Sequence, residues 1–374
     1  GKTSILESIA YLANFSSFHT TSDHQLLNFN LKPEPIQVGR IVGEFEKRGR
    51  RHALEVRFIQ EFNGDPNLPK FRKEFLLDGV KKRMGDLYGQ FNAVTFLPQM
   101  SKIIEGTPAD RRRYLDEILS QAQPGYARTL STYNKTITQR NALLKTLAER
   151  GGDAAQLEPW DAILARHGAE IMHMRIQVLK ELESQVKPIH SRMTQQSELL
   201  RLIYQPAFEP LSSPKGQLIL PVQASPDRSG LSVSDLESGF HAALHSSRRE
   251  DINRGMTTLG PHRDEFRFLS NRMDLGNFGS RGQCRTALLS LKFAEVRWMK
   301  DHTGEWPVLL LDEIMAELDP QRRKDLLDVL GEVDQALVTS TDLAMFSEDF
   351  VHLHPIWEVS DGMVSPLSAP DGIS

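Results

Sequence analysis

The spacing of apolar positions changes along the chain, and each change predicts a different element. Ile5, Leu6, Ile9, Leu12 and Ala13 recur at helical spacing from the start. Strand patterns follow at residues 36–45 and 53–62, the second alternating Leu54, Val56 and Phe58. A turn at Asp78-Gly79 closes a hairpin, and residues 93–97 read as a short buried strand ending at Pro98-Gln99. The period then becomes helical over 109–150 and again over 157–200. Leu130, Tyr133, Ile137, Leu144 and Leu147 form a stripe on the first of these. Trp160, Leu164, His167, Ile171, Met174, Val178, Leu182, Val186, Ile189 and Met193 form one on the second. Gly151-Gly152-Asp153 breaks the two, so an antiparallel helical pair is expected, with Pro188 placed to kink its second member. His167 reads as a packed seam residue. Residues 205–228, rich in Pro, Ser and Gly, cross back; residues 232–251 predict a helix capped by Ser234 with Glu237 completing the box.

The most informative stretch lies near the end. Val308-Leu309-Leu310-Leu311 is an apolar run suited to a strand buried on both faces, and it delivers Asp312 and Glu313 at its C-terminal end. Open parallel sheets bind ligands at that end. The first acid suits Mg²⁺ and the second suits activation of water for attack on a phosphate. The chain opens Gly1-Lys2-Thr3-Ser4, the closing residues of a phosphate-binding loop. Lys2 is expected to reach the terminal phosphates of ATP and Thr3 to ligate Mg²⁺, with the helix dipole behind them. We expect the strand and earlier glycines of the loop to precede Gly1. A third feature is Ser280-Arg281-Gly282-Gln283 ahead of a helix over 284–299, a second anion-binding turn 32 residues before Asp312.

Composition adds limits. With 374 residues there is room for two or more cores, and the single Cys284 excludes an internal disulfide. No apolar run approaches membrane-spanning length, so a cytoplasmic protein is expected. The net charge of −4 hides an asymmetry: residues 1–150 carry 23 Lys and Arg against 16 Asp and Glu, and the remainder carries 22 against 33. The basic excess gathers at Arg48, Arg50 and Arg51, at Lys70, Arg72 and Lys73, at Lys81, Lys82 and Arg83, and at Arg111, Arg112 and Arg113. These clusters are DNA-phosphate candidates, Lys81–Arg83 and Arg111–Arg113 foremost, beside a reading as solvated surface.

Several motifs together resemble the RecF family, bacterial recombination-mediator ATPases of the ABC and SMC class. They are Phe96-Leu97-Pro98-Gln99, Gly106-Thr107-Pro108-Ala109-Asp110 with the arginine triplet, Leu259-Gly260-Pro261-His262-Arg263-Asp264, the Ser280 turn, the Asp312 strand and Thr339-Ser340-Thr341-Asp342. The resemblance covers nearly the whole chain. It implies an α/β fold: an ABC-type ATPase head, its P-loop sheet accompanied by helices and an antiparallel β part, with an inserted helical arm. Head segments are expected at 1–110 and 256–374, and the arm at 111–255. It implies ATP and Mg²⁺ as cofactors, with Gly1, Lys2, Thr3, Ser4, Gln99, Ser280, Gly282, Gln283 and Asp319 at the nucleotide, Thr3 and Asp312 at the metal, and Glu313 as catalytic base. It further implies weak DNA-dependent ATP hydrolysis, an ATP-driven homodimer acting at single-strand/duplex junctions, and RecO, RecR and RecA as partners. His262 and Arg263 gain no mechanism from it; a structural role stands beside nucleotide contact.

Two other readings use the same motifs. A transporter's nucleotide-binding subunit keeps its Gln turn and signature close together, whereas Gln99 and Ser280 are 181 residues apart here. An SMC-type structural ATPase carries long coiled coils, whereas these helical stretches reach only about 60 Å.

Overall fold

The computed structural model describes residues 1–20, 22–28, 34–62, 70–211, 226–360 and 362–367. The chain forms two compact units, Gly1–Gln99 with Gly304–Ser374, and Met100–Thr303. In chain order the first contains α1 (Lys2–Asn14), β1 (Ile36–Lys47), β2 (Arg50–Glu61), β3 (Lys70–Leu77), β4 (Val80–Lys82) and β5 (Ala93–Phe96). The second contains α2 (Lys102–Glu105), α3 (Pro108–Ala122), α4 (Tyr126–Arg150), α5 (Glu158–Met193), β6 (Leu200–Gln205) and α6 (Val233–Arg254). It continues through β7 (Glu265–Ser270), β8 (Met273–Asp274), α7 (Leu275–Phe278) and α8 (Arg281–Thr303). The first unit resumes with β9 (Val308–Asp312), α9 (Pro320–Leu330), β10 (Ala336–Thr339), α10 (Glu348–Leu353), β11 (Trp357–Ser360) and β12 (Met363–Pro366).

In the first unit the later turns of α1, residues 9–13, are apolar on every face, and such a stretch is buried on more than one side. Leu6, Ala10 and Ala13 pack with Ala93 and Leu310 of the parallel sheet β10-β9-β5. Tyr11 and Leu12, with Phe15 just beyond the helix, pack with Leu54, Val56, Phe58 and Phe75 of the antiparallel sheet β1-β2-β3-β4. Glycine on β1 makes the second contact close: a Cβ at Gly43 would stand 2.4 Å from Leu12 Cδ1. In the parallel sheet β9 pairs Leu309 with Ala336 and Asp312 with Thr339 on one side, and Val308 with Ala93 on the other. Leu309, Leu310 and Leu311 are fully buried, each adding about 1.5–3 kcal/mol. The apolar run thus anchors the acids that follow it.

The second unit is built on helices. Thr107 caps α3 in a capping box with Asp110, and Pro108 fits the first turn. The expected helical stretch over 109–150 is two helices, because Gln123-Pro124-Gly125 ends α3 and Gly125 takes φ 87°. Helices α4, α5 and α6 are cross-linked by buried charge. Arg140 donates to Asp161 and Asp251, both at 2.7 Å, and Arg248 donates to Asp161 at 2.7 Å. The cap of helix α6 lies two residues earlier than expected: Ser232, boxed with Asp235, caps it, not Ser234 with Glu237. The stretch expected to be helical up to residue 200 ends at Met193, and Leu200, Leu202 and Tyr204 instead alternate inward along β6. That strand pairs with β7, and α5 packs on α8. Residues 256–303 therefore fold with the helical unit, although a division at 255/256 was expected. Of the expected crossing over 205–228, residues 212–225 lie outside the described residues.

Candidate active site

The first unit brings the two ends of the sequence together at the C-terminal edge of the parallel sheet. Thr3, in the first turn of α1, donates its hydroxyl to Asp312 Oδ1 at 3.1 Å. Lys2 Nζ lies 3.4 Å from Glu313 Oε1 and donates to the Ser340 carbonyl at 2.6 Å. Gly1 is the N-cap of α1 and Ser4 is exposed beside it, so the amide-bearing end of the helix faces the same acids. Glu313 has φ 54°, a conformation that costs a non-glycine residue on the order of 1–3 kcal/mol. It turns the chain sharply after β9. Two threonines brace this turn: Thr339 donates to Asp312 Oδ1 at 2.7 Å and accepts the Glu313 N–H at 3.2 Å, while Thr341 donates to Glu313 Oε2 at 3.3 Å.

Asp319 caps α9 by accepting from the Arg322 N–H at 3.0 Å, and that bond holds its carboxyl below the usual range. Gln99 is half-buried in the turn after β5, the strand parallel to β9. The donors available to a metal are one hydroxyl and one carboxylate that already converge, Thr3 and Asp312. Hard oxygen ligands in this small number fit Mg²⁺, which keeps water and binds phosphate oxygens for the rest of its shell. Among the described residues no group of three or more His, Cys, Asp or Glu forms a metal cluster.

In the second unit Ser280 and Gln283 cap α8 reciprocally. Ser280 N–H donates to Gln283 Oε1 at 3.0 Å, and Gln283 N–H donates to Ser280 Oγ at 3.2 Å. The other end of the Gln283 amide donates to Glu198 at 3.0 Å, so its side chain holds the turn from inside instead of reaching out. Burial would raise the Glu198 carboxyl, but hydrogen bonds from Gln283, Ser270 and His190 hold it below the usual range. Glu198 is a part of this turn that spacing does not reveal, standing 85 residues from Gln283. Ser280, Arg281 and Gly282 are exposed. A Cβ at Gly282 would meet nothing nearer than Ser280 Oγ at 3.9 Å, so the protein's own packing does not demand glycine there.

The basic clusters divide. Arg111 is buried and not on a DNA-facing surface, correcting that expectation. It forms a two-pronged pair with Glu265 at 2.6 and 2.7 Å and donates to the carbonyls of Ile104 and Gly106. Arg112 is half-buried, donates to the Asp264 carbonyl at 2.7 Å, and is pushed below the usual arginine range by burial and by Arg175. Arg113 is exposed. Arg72 pairs with Glu61 and Glu74, Lys73 with Asp23, and Lys81 with Glu74. Lys82 and Arg83, at and beyond the end of β4, are exposed and form no ion pair among the described residues. His262 is internal: its Nε2 donates to the Thr257 carbonyl and its Nδ1 accepts from the Tyr133 hydroxyl, while Arg175 donates to the Pro261 carbonyl. The motif pins the loop before β7 to α4 and α5.

A helix N-terminus with Lys and Thr at one edge of a parallel sheet, an Asp-Glu pair after its middle strand, and a Ser-x-Gly-Gln turn opening a long helix define an ABC-type ATPase. Similarity narrows the class. The chain is 36% identical to the DNA replication and repair protein RecF of Chloroflexus aurantiacus, covering 97% of this chain and 91% of that protein. It is 33% identical to RecF of Exiguobacterium sp., covering 98% and 91%. Solved structures of the recombination mediator protein RecF-ATP and RecF-ATPrS in the RecFOR pathway superpose with TM-scores of 0.79 and 0.78, at 28% and 29% identity. They cover 98% of this chain and 90% and 89% of theirs. No family profile matches. The chain belongs to the RecF family.

Proposed function

We propose that this protein is an ATP-driven DNA-binding factor of recombinational repair and replication-gap processing, and that it hydrolyses ATP slowly. The observation that carries the reading is the meeting of Thr3 with Asp312 and of Lys2 with Glu313, residues some 310 positions apart, at one sheet edge. Lys2, now on Glu313 and the Ser340 carbonyl, exchanges those partners for the β- and γ-phosphates. Thr3 and Asp312 would hold Mg²⁺, which when bound would supply neutralisation of phosphate charge. Glu313 accepts the proton of the attacking water. Gly1 and Ser4 lie at the same helix end; by the family relation Asp319 and Gln99 also serve the nucleotide, and Ser280 with Gly282, supported by Gln283, completes the site of a second copy. Lys81, Lys82, Arg83 and Arg113 are the remaining DNA-contact candidates. By the family relation the factor works in the cytoplasm with RecO and RecR at single-strand/duplex junctions, to load RecA; among the described residues no helix is long and apolar enough to cross a membrane.

The test is Glu313→Gln in the full-length protein. Removing the base lowers hydrolysis by about 10²–10⁴-fold while ATP binding persists. Hydrolysis at the parental rate would refute the assignment.

A further inference from the structure

Thr339 ends β10 and Thr341 lies just beyond it, and the reading above leaves both without a role. Thr339 closes β10 in register with Asp312. Its hydroxyl donates to Asp312 Oδ1 at 2.7 Å and accepts the Glu313 N–H at 3.2 Å. A hydroxyl has one proton and spare lone pairs, so a single oxygen fills both roles. Asp312 Oδ1 also takes the Thr3 hydroxyl at 3.1 Å. Two donors on one oxygen fix the direction of the carboxylate and leave Oδ2 clear of the described hydrogen bonds. The other bond holds a backbone N–H at the residue with φ 54°, where the side chain of Glu313 is aimed. Valine has the same shape and suits a strand equally well, so packing alone does not ask for the hydroxyl.

We infer that Thr339 is a positioning residue that sets the metal-side carboxylate and the base together through one hydroxyl. The inference rests on the proposed roles of Asp312 and Glu313. It is distinct from any contact between Thr339 and nucleotide, and it makes the two acids a single mechanical unit.

The experiment uses the full-length protein and measures affinity for a fluorescent ATP analogue with Mg²⁺ and with chelator, alongside steady-state hydrolysis. In Thr339→Val, binding without metal stays within about twofold, whereas the gain from Mg²⁺ and kcat each fall about tenfold or more, as expected for losing a hydrogen bond to a charged group. Thr339→Ser restores both. If Thr339→Val does not fold by circular dichroism, Thr339→Ala is the hydroxyl-free comparison. The inference is overturned if the hydroxyl-free variant keeps the full Mg²⁺ gain, if metal-free and metal-dependent binding weaken in equal proportion, or if Thr339→Ser behaves like Thr339→Val. Glu313→Gln separates the two readings: parental hydrolysis there removes the base assignment, while the Mg²⁺ measurement on Thr339 still stands or falls alone.

Discussion

His262 has an environment that fixes both its tautomer and its charge. One ring nitrogen donates to a carbonyl and the other accepts a tyrosine hydroxyl, which the neutral ring satisfies and the doubly protonated ring does not. Burial first, with Arg263, Arg112 and Arg175 adding to it, lowers its pKa to about 4. The sign follows from linkage. The unfolded chain takes up a proton near the ordinary value of about 6.5, before the folded one does, so stability from the neutral ring is complete above that pH. It is lost as pH falls toward 4, by on the order of 3 kcal/mol in total. Urea unfolding at pH 7.5 and pH 4.5 should therefore show a larger acid loss in the parent than in His262→Asn. Equal losses would mean that His262 does not carry the acid sensitivity, since effects of the other groups cancel in the comparison.

At the scale of elements, much was legible because spacing and turn residues agree with the fold. The hairpin at Asp78-Gly79, the buried strand before Asp312 and the Ser280 turn all stand where the sequence places them. Other features were not. Two serine boxes overlap at the start of α6, Ser232 with Asp235 and Ser234 with Glu237, and the helix uses the first. Tyr204 on β6 hydrogen-bonds buried Asp264, a long-range partner with no local signal. Charge runs were the weakest guide, because a run of three arginines at the start of α3 contains one buried, one half-buried and one exposed residue. Helical geometry sends successive residues to different faces, so the triplet never forms one surface. This yields a divided expectation. Glu at Lys82 and Arg83 together should weaken duplex binding and flatten its salt dependence without changing thermal stability. Arg111→Glu should instead destabilise the fold by about 3–5 kcal/mol, setting a second carboxylate in a buried position against half-buried Glu265. Salt titrations of DNA binding and thermal melts of both variants check this. Unchanged DNA binding in the double variant would return β4 to the role of a solvated edge.

At the scale of the whole molecule, the residues for gripping phosphate lie in one compact unit and the Ser280 turn lies in the other. The Ser280 turn uses its own amide and side chain to hold itself in shape, with Gln283 and Glu198 behind it, and exposes Ser280 and Gly282 outward. A turn so braced, with a glycine that its own packing does not need, is suited to close approach by something outside the chain. In the proposed dimer that is the γ-phosphate held by Lys2 of a second copy. Ser280→Arg places a bulky cation on the approach while leaving Lys2, Thr3, Asp312 and Glu313 untouched. The full-length variant should bind ATP with near-parental affinity yet remain monomeric by light scattering. Glu313→Gln should do the reverse, because ATP that is not hydrolysed keeps two copies joined. A monomeric Glu313→Gln protein with ATP, together with normal dimerisation of Ser280→Arg, would rule out a site shared between copies.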